Sequence, residues 1–246
     1  YQGGFTGILD DEDRLGLCVE NIGDINGDRI VDIAVYSARD DDGASNAGAI
    51  YILFLNSDGT AKHTQKISAL DGNFGGAIAE EDHFGQRIVN IGDIDGNGIN
   101  DILTSSYGSD DGGLDRGKAW VIYLNSDATV KDYNEINSQT PALSGLLENG
   151  DSFGSSVAVF DGFNEKGKKE IVIGAYGDDD GATDAGAVYI LDLGVSNFLT
   201  LSKNKVTFTA SSGTDHISVN SNVSWTATSD QPWLTVNPTS GTGNDT

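Results

Sequence analysis

The sequence predicts an all-β protein, with three copies of a four-stranded unit in residues 1–194 and an incomplete immunoglobulin-like β-sandwich in 195–246. Three observations carry that prediction. Short motifs recur at a fixed step of 69 residues. Within each step, short apolar runs are separated by loops rich in Asp, Asn and Gly, the pattern of strands joined by turns. The acidity then stops at the end of the third copy: residues 195–246 carry Lys203 and Lys205 against Asp215, Asp230 and Asp245, so nearly all of the net charge of −24 lies before them.

The repeat holds from about residue 13 to 193 without an insertion. DRLG (13–16), DHFG (82–85) and DSFG (151–154) keep the step, as do Gly43, Gly112 and Gly181, Gly48, Gly117 and Gly186, and Asp32, Asp101 and Glu170. A first apolar run follows each tetrapeptide (18–22, 88–91, 157–160). A second lies at 33–36, 102–104 and 171–175, a third at 49–55, 119–124 and 187–193, and a weaker fourth at 65–70. Four short strands per unit fit the blade of a β-propeller. The third run, AIYILFL in the first copy, is apolar on consecutive residues. A strand with one wet face alternates, so this strand is expected to be covered on both faces, as where blades pack face to face. The blades are expected at about 1–64, 65–133 and 134–194.

Between the first and second strands lies an acidic loop. In the first copy Asp24, Asn26, Asp28 and Asp32 stand at positions 1, 3, 5 and 9, with the Ile30 carbonyl at position 7. The second copy places Asp93, Asp95, Asn97, the Ile99 carbonyl and Asp101 in the same phase. A hard cation such as Ca²⁺ takes roughly six to eight oxygens, which alternate residues of a curled loop can supply. Asp, Asn and Gly also make turns for their own sake. Turn preference accounts for the composition but not for the same oxygen-bearing positions returning one repeat later. Gly98 fits the sharp turn at position 6 of the second loop, where the first has Arg29. The third copy, GFNEKGKKE (162–170), has Gly162 at position 1 and Lys166 at position 5, so an ammonium is expected to replace the ion there. The second acidic loops (40–43, 110–112, 178–181) read as hairpin turns, with a weaker ion or a ligand contact as alternatives.

The frame FG, then an Asp-rich loop, then an apolar strand, then GAVYI resembles the FG-GAP repeat of the integrin α-subunit propeller and its bacterial relatives. The resemblance covers about residues 1–194. The first copy has Leu15-Gly16 in place of FG, and GA survives only as Gly174-Ala175, against Tyr36-Ser37 and Ser105-Ser106. The resemblance implies a ring of about seven blades, so blades are expected upstream of Tyr1. It also implies structural calcium in the first acidic loops. Its further implication is a non-catalytic module for adhesion or ligand recognition, with a protein or glycan partner on the face opposite those loops, in a secreted or surface-bound bacterial protein.

From Val195 onward alternating Thr, Ser and Val predict strands near 199–210, 216–221, 223–229 and 232–238. The run SWTATSDQPWLTVNPTSGTG (224–243) resembles the BACON domain, through Trp225, Trp233, Pro238, Gly241 and Gly243. That resemblance implies either a glycan-binding module or a spacer. Both tryptophans are expected in the core, the commoner place for them. Asn222-Val223-Ser224 matches a glycosylation sequon.

Several classes are excluded or disfavoured. A net charge of −24 opposes nucleic acid and anionic membranes. No apolar run approaches the roughly 20 residues of a membrane span. With Cys18 as the one cysteine, no internal disulfide forms. His63, His83 and His216 share no repeat phase, and His83 reads as a variable surface residue. No HExxH, GxSxG or phosphate-loop motif occurs. No catalytic residue is assigned: Cys18 aligns with Arg87 and Ser156, and Glu80 and Glu81 align with Asp11 and Glu12. The alternative reading is an accessory region of a larger secreted hydrolase.

Overall fold

The computed structural model describes residues 3–161, 169–193, 199–203, 205–207, 213–221 and 224–242. The chain divides into two units, residues 1–94 with 98–194, and residues 195–246 with 95–97. Among the described residues all regular structure is strand except one 3₁₀ turn at Pro141–Leu143.

The first unit holds three antiparallel meanders. β1 (Leu15–Gly23), β2 (Asp32–Ser37), β3 (Ala49–Leu55) and β4 (Ala61–Ile67) form one sheet in chain order. β5 (Ile88–Gly92), β6 (Asp101–Ser106), β7 (Lys118–Leu124) and β8 (Val130–Ile136) form the second. β9 (Phe153–Asp161), β10 (Lys169–Ala175) and β11 (Ala187–Leu193) form the third. The register is copied along with the sequence. Asn21 opposes Ile33 and Asn90 opposes Ile102, and both ladders shift immediately afterwards. At that shift Asn21 and Asn90 accept the Gly23 and Gly92 amides at 3.0 and 2.9 Å. The resulting bulge turns the chain out of the sheet and into the acidic loop.

Two expectations are corrected. The boundaries read at 64/65 and 133/134 fall inside β4 and β8, because polar strands such as AKHTQKI carry no apolar signal and yet complete each sheet. The third sheet has three described strands, not four. One repeat step beyond β8, the segment Leu199–Leu201 (β12) pairs with Val219–Ser221 (β13) in the second unit instead.

The sheets of the first unit pack face to face, as the unbroken apolar third strands imply. Every residue of β7 is buried, and β3 is buried at all but Leu53 and Leu55, which are half-buried. Ile50, Ile52 and Phe54 from the first sheet share one core with Ile102, Trp120 and Ile122 from the second. Phe74, between the two sheets in sequence, stacks on Phe84 at 4.9 Å and meets Trp120 edge-on at 5.1 Å. One repeat earlier, Phe5 meets Tyr51 edge-on at 5.6 Å, so the repeat reaches back before residue 13.

The FG motif joins neighbouring sheets. Phe84 and Phe153 are fully buried, and their amides donate to the Ala47 and Arg116 carbonyls of the preceding repeat at 2.8 and 2.9 Å. Gly85 has φ +97°, and a Cβ there would lie 2.7 Å from Ile50 Cγ1. Gly48, just before β3, has φ +83°, and its Cβ would lie 2.6 Å from the Phe84 carbonyl oxygen. Glycine is therefore required on both sides of the joint, by backbone conformation and by close approach. Among the described residues of the first unit the third sheet is the last, and its β11 alternates between half-buried and exposed up to Leu193.

The second unit contains β12 paired with β13, and β14 (Ser224–Thr226) paired with β15 (Ser240–Thr242). Trp225 is buried, as expected. A Cβ on Gly241 would lie 2.5 Å from its ring. Trp233 is not core but 71% exposed. The strand expected at 232–238 is absent among the described residues, and Trp233 sits in a turn with no sheet face to bury it. The sequon's Asn222 and Val223 lie outside the described residues.

Candidate metal centre

The acidic loops occupy the same end of the first two sheets, where β1 passes to β2 and β5 to β6. Position 9 has a structural duty of its own. Asp32 is fully buried and accepts the Ile25 amide at 3.1 Å and the Leu55 amide at 3.0 Å. Asp101, also fully buried, accepts the Ile94 and Leu124 amides at 2.8 and 3.0 Å. Each carboxylate thus pins its loop to the end of the third strand. Burial pushes the Asp32 carboxyl above its ordinary value, against the two amides, and Asp28 and Asp24 push the same way.

The other positions differ between the copies. In the second loop, carboxylate oxygens of Asp93, Asp95 and Asp101 all lie within 4.8 Å of one another. That donor set suits a hard divalent cation. Gly98, at position 6, has φ +88° and donates its amide to Asp93 at 2.8 Å. Asn97 turns its own amide onto Asp95 at 3.0 Å. The Ile99 carbonyl lies at the start of the return to β6.

In the first loop the carboxylates do not gather to that degree. Asp24 accepts the amides of Gly27, Asp28 and Arg29 at 2.7, 3.1 and 2.7 Å. Asn26 accepts the Asp28 amide at 2.9 Å, and Asp28 that of Ile30 at 2.9 Å. The Lys62 ammonium, from β4, lies 3.3 Å from Asp28. The Ile30 amide holds the Asp28 carboxyl below its ordinary range against the push from burial, with Lys62 adding to it. Arg29 adopts φ +69°, a left-handed conformation that costs a non-glycine residue about 1–2 kcal/mol. The third loop, including Lys166, lies outside the described residues; Glu170 is buried at the start of β10.

The first two of the second acidic loops have a cation supplied by the chain, which the hairpin reading missed. Lys66 Nζ lies 2.8 Å from Asp40 and 2.6 Å from Asp42. Lys118 Nζ lies 2.8 Å from Asp111 and 3.9 Å from Asp82. Their phase differs between repeats, so no repeat comparison could have found them.

Sequence reasoning also passed over the Asp that opens DRLG, DHFG and DSFG. Asp13, Asp82 and Asp151 are buried, and accept the amides of Asp10, Ala79 and Glu148 at 2.8, 3.0 and 2.7 Å. Burial raises all three carboxyls above 3.8. The folded state therefore holds these protons more tightly than the unfolded chain. Their contribution to stability grows as pH falls through the raised values and levels off near 3.8. In chelator, the melting temperature is expected to rise as pH is lowered from 7 toward 3.8. A fall over that range would mean that carboxyls with lowered values, such as Asp42 beside Lys66, dominate instead.

His83 is not a free surface residue. Its ring stacks on Tyr107 at 5.1 Å, and Nδ1 lies 3.3 Å from the Ala38 carbonyl oxygen.

Comparison with known proteins meets this geometry at two places. Residues 147–191, the third repeat, match the FG-GAP repeat family. Residues 198–246 match a family described as the viral BACON domain. Two successive segments thus match, one an FG-GAP repeat and the other a BACON domain. The chain is also similar to integrin alpha-4 of Xenopus laevis, at 30% identity over 125 residues. That alignment spans 50% of this chain and 11% of the integrin. The partial propeller and the order of the two regions agree with the sequence expectation. The FG-GAP match agrees with a propeller-type repeat at residues 147–191, and the BACON match is described as viral, not bacterial. No helix among the described residues is long and apolar enough to cross a membrane.

Proposed function

We propose that the FG-GAP region is a calcium-stabilised, non-catalytic binding module of an extracellular protein, engaged in adhesion or ligand recognition. The observation that carries the calcium reading is the convergence of Asp93, Asp95 and Asp101. With Asn97 and the Ile99 carbonyl on the same loop, these residues offer the oxygen-only donor set that Ca²⁺ prefers. The ion would tie positions 1 and 3 to the buried Asp101 and make the β5–β6 connection rigid. Asp24, Asn26, Asp28, the Ile30 carbonyl and Asp32 would form a second, weaker site, because Lys62 already competes for Asp28.

The test is a calorimetric calcium titration with melting followed in calcium and in chelator. Two sites are expected, the tighter one lost in Asp95→Ala. That variant should lose most of the melting-temperature gain that calcium gives the parent, since Asp95 belongs to the converging carboxylate cluster. Asp101→Ala should melt lower in both conditions, because it also removes the anchor of Ile94 and Leu124. Absence of binding at about millimolar calcium would reduce the loops to turns.

The accessory-region reading has one observation in its favour, the exposed Trp233 indole. A glycan stacking on it would quench its fluorescence, and Trp233→Ala would abolish that change.

A further inference from the structure

The repeat separates side chains that serve the frame from those that depart from it. Frame residues return every 69 positions; the arginines do not. Arg14 is replaced by His83 and Ser152 in the other copies, Arg39 by Gly108 and Gly177, and Arg87 by Cys18 and Ser156. These three, from only five arginines in the chain, come from three separate segments. The fold gathers them around one cavity of about 520 Å³ between the first two sheets. Tyr36, His83 and Tyr107 complete its wall. The cavity lies where β1 begins and β2 ends, away from the acidic loops at the opposite ends of these strands.

The local charge opposes that of the whole molecule. Arg39 is paired with Glu12 at 2.9 Å, an exposed contact. Glu81 is turned to Asn46 at 2.6 Å and to His83 at 3.3 Å. Arg87 donates to the Gln86 carbonyl at 3.2 Å. Among the described residues, no carboxylate lies within ion-pair distance of Arg14 or Arg87. In a protein of net charge −24, three guanidiniums around one concavity whose lining carboxylate, Glu81, is turned to Asn46 and His83 are a place for an anion from outside.

We propose that this cavity binds a hexuronate residue of an acidic glycan. The reading rests on the binding-module function proposed above and names its ligand class. A guanidinium fork matches a planar carboxylate through two parallel hydrogen bonds. The side-chain amides of Asn46 and Gln86 line the same space and suit ring hydroxyls. The stacked His83–Tyr107 pair, with rings 7° from parallel, offers a flat wall to a pyranose face. The volume matches a site for one small ring. An acidic peptide side chain would satisfy the arginines but give the amides and the wall nothing to do.

The experiment is a calorimetric titration of a glucuronate-containing disaccharide into the whole chain at low ionic strength, against its neutral glucose analogue. One site is expected for the uronate and none for the analogue. Arg14→Gln and Arg87→Gln should each weaken binding by about tenfold or more, the loss of a charge-assisted hydrogen bond. Arg116→Gln, outside the cavity, should bind like the parent. Arg14 and Arg87 are exposed, so unchanged melting of their variants would separate lost binding from unfolding. No uronate heat, or parental binding in both arginine variants, would overturn the site. A glutamate-rich peptide binding where the uronate does not would overturn the sugar assignment. Calcium-dependent melting, measured on the same variants without sugar, fails or survives separately. Retained calcium stabilisation with no uronate binding therefore refutes the pocket alone.

Discussion

Replacing Lys118 with alanine is expected to destabilise the protein by about 3–5 kcal/mol, the cost of breaking a buried ion pair from one side. The side chain is 1% exposed. Its ammonium donates to Asp111 at 2.8 Å and to the Ala77 carbonyl at 2.9 Å, and lies 4.4 Å from the centre of the Trp120 ring. Asp82, 2% exposed, stands 3.9 Å away and would be left without its cation. The equivalent residues Ala49 and Ala187 show that the frame accepts alanine here, so the loss comes from the stranded carboxylates and not from the backbone. Burial already raises the Asp82 carboxyl, with Lys118 opposing. Removing the lysine raises it further, and the deficit should shrink as acid neutralises Asp82. Urea unfolding at pH 7 and at about pH 5 checks both points. A loss below about 1 kcal/mol would place this pair with surface bridges of little net worth.

Ile52→Ala should cost about 2–5 kcal/mol, whereas Ile190→Ala, at the same repeat position, should stay within about 0.5 kcal/mol. Ile52 is fully buried and Val121, its counterpart in the second sheet, is 3% exposed, but Ile190 is 61% exposed. Their neighbours Ile50, Ala119 and Val188 follow the same course at 0%, 0% and 66%. Each first-unit sheet presents this face to the next sheet, and the third has no further sheet of the first unit among the described residues. Equal losses at the two positions would show that the face of the third sheet is covered in solution. Paired urea titrations of the two variants decide it.

Much of the fold was legible because its signals are local or repeated. The 69-residue step, the apolar third strands and the glycines around FG each express a backbone or packing need that recurs with every sheet. The recurrence of Asp24 as Asp93 and of Asp32 as Asp101 was legible for the same reason. What was missed had no phase or no apolar content. β4 is AKHTQKI and β8 is VKDYNEI, both polar because they are half-exposed. Lys66 and Lys118 occupy different repeat positions yet do the same job. Trp233 was read into a strand because PWLTV alternates suitably, and the structure places it in a turn.

The sequence by itself determined the repeat, the strand order within each sheet and the oxygen-bearing positions of the loops. Each of these depends on residues near one another in the chain or on a pattern that returns at fixed distance. Only the tertiary structure decided which face of each sheet is covered and which carboxylates meet a lysine. It alone gathered Asp93, Asp95 and Asp101 at one point, and three unrelated arginines at one cavity. Those outcomes depend on where separate sheets and loops come to rest, through close packing and charge pairing between residues tens of positions apart. No local pattern records that placement.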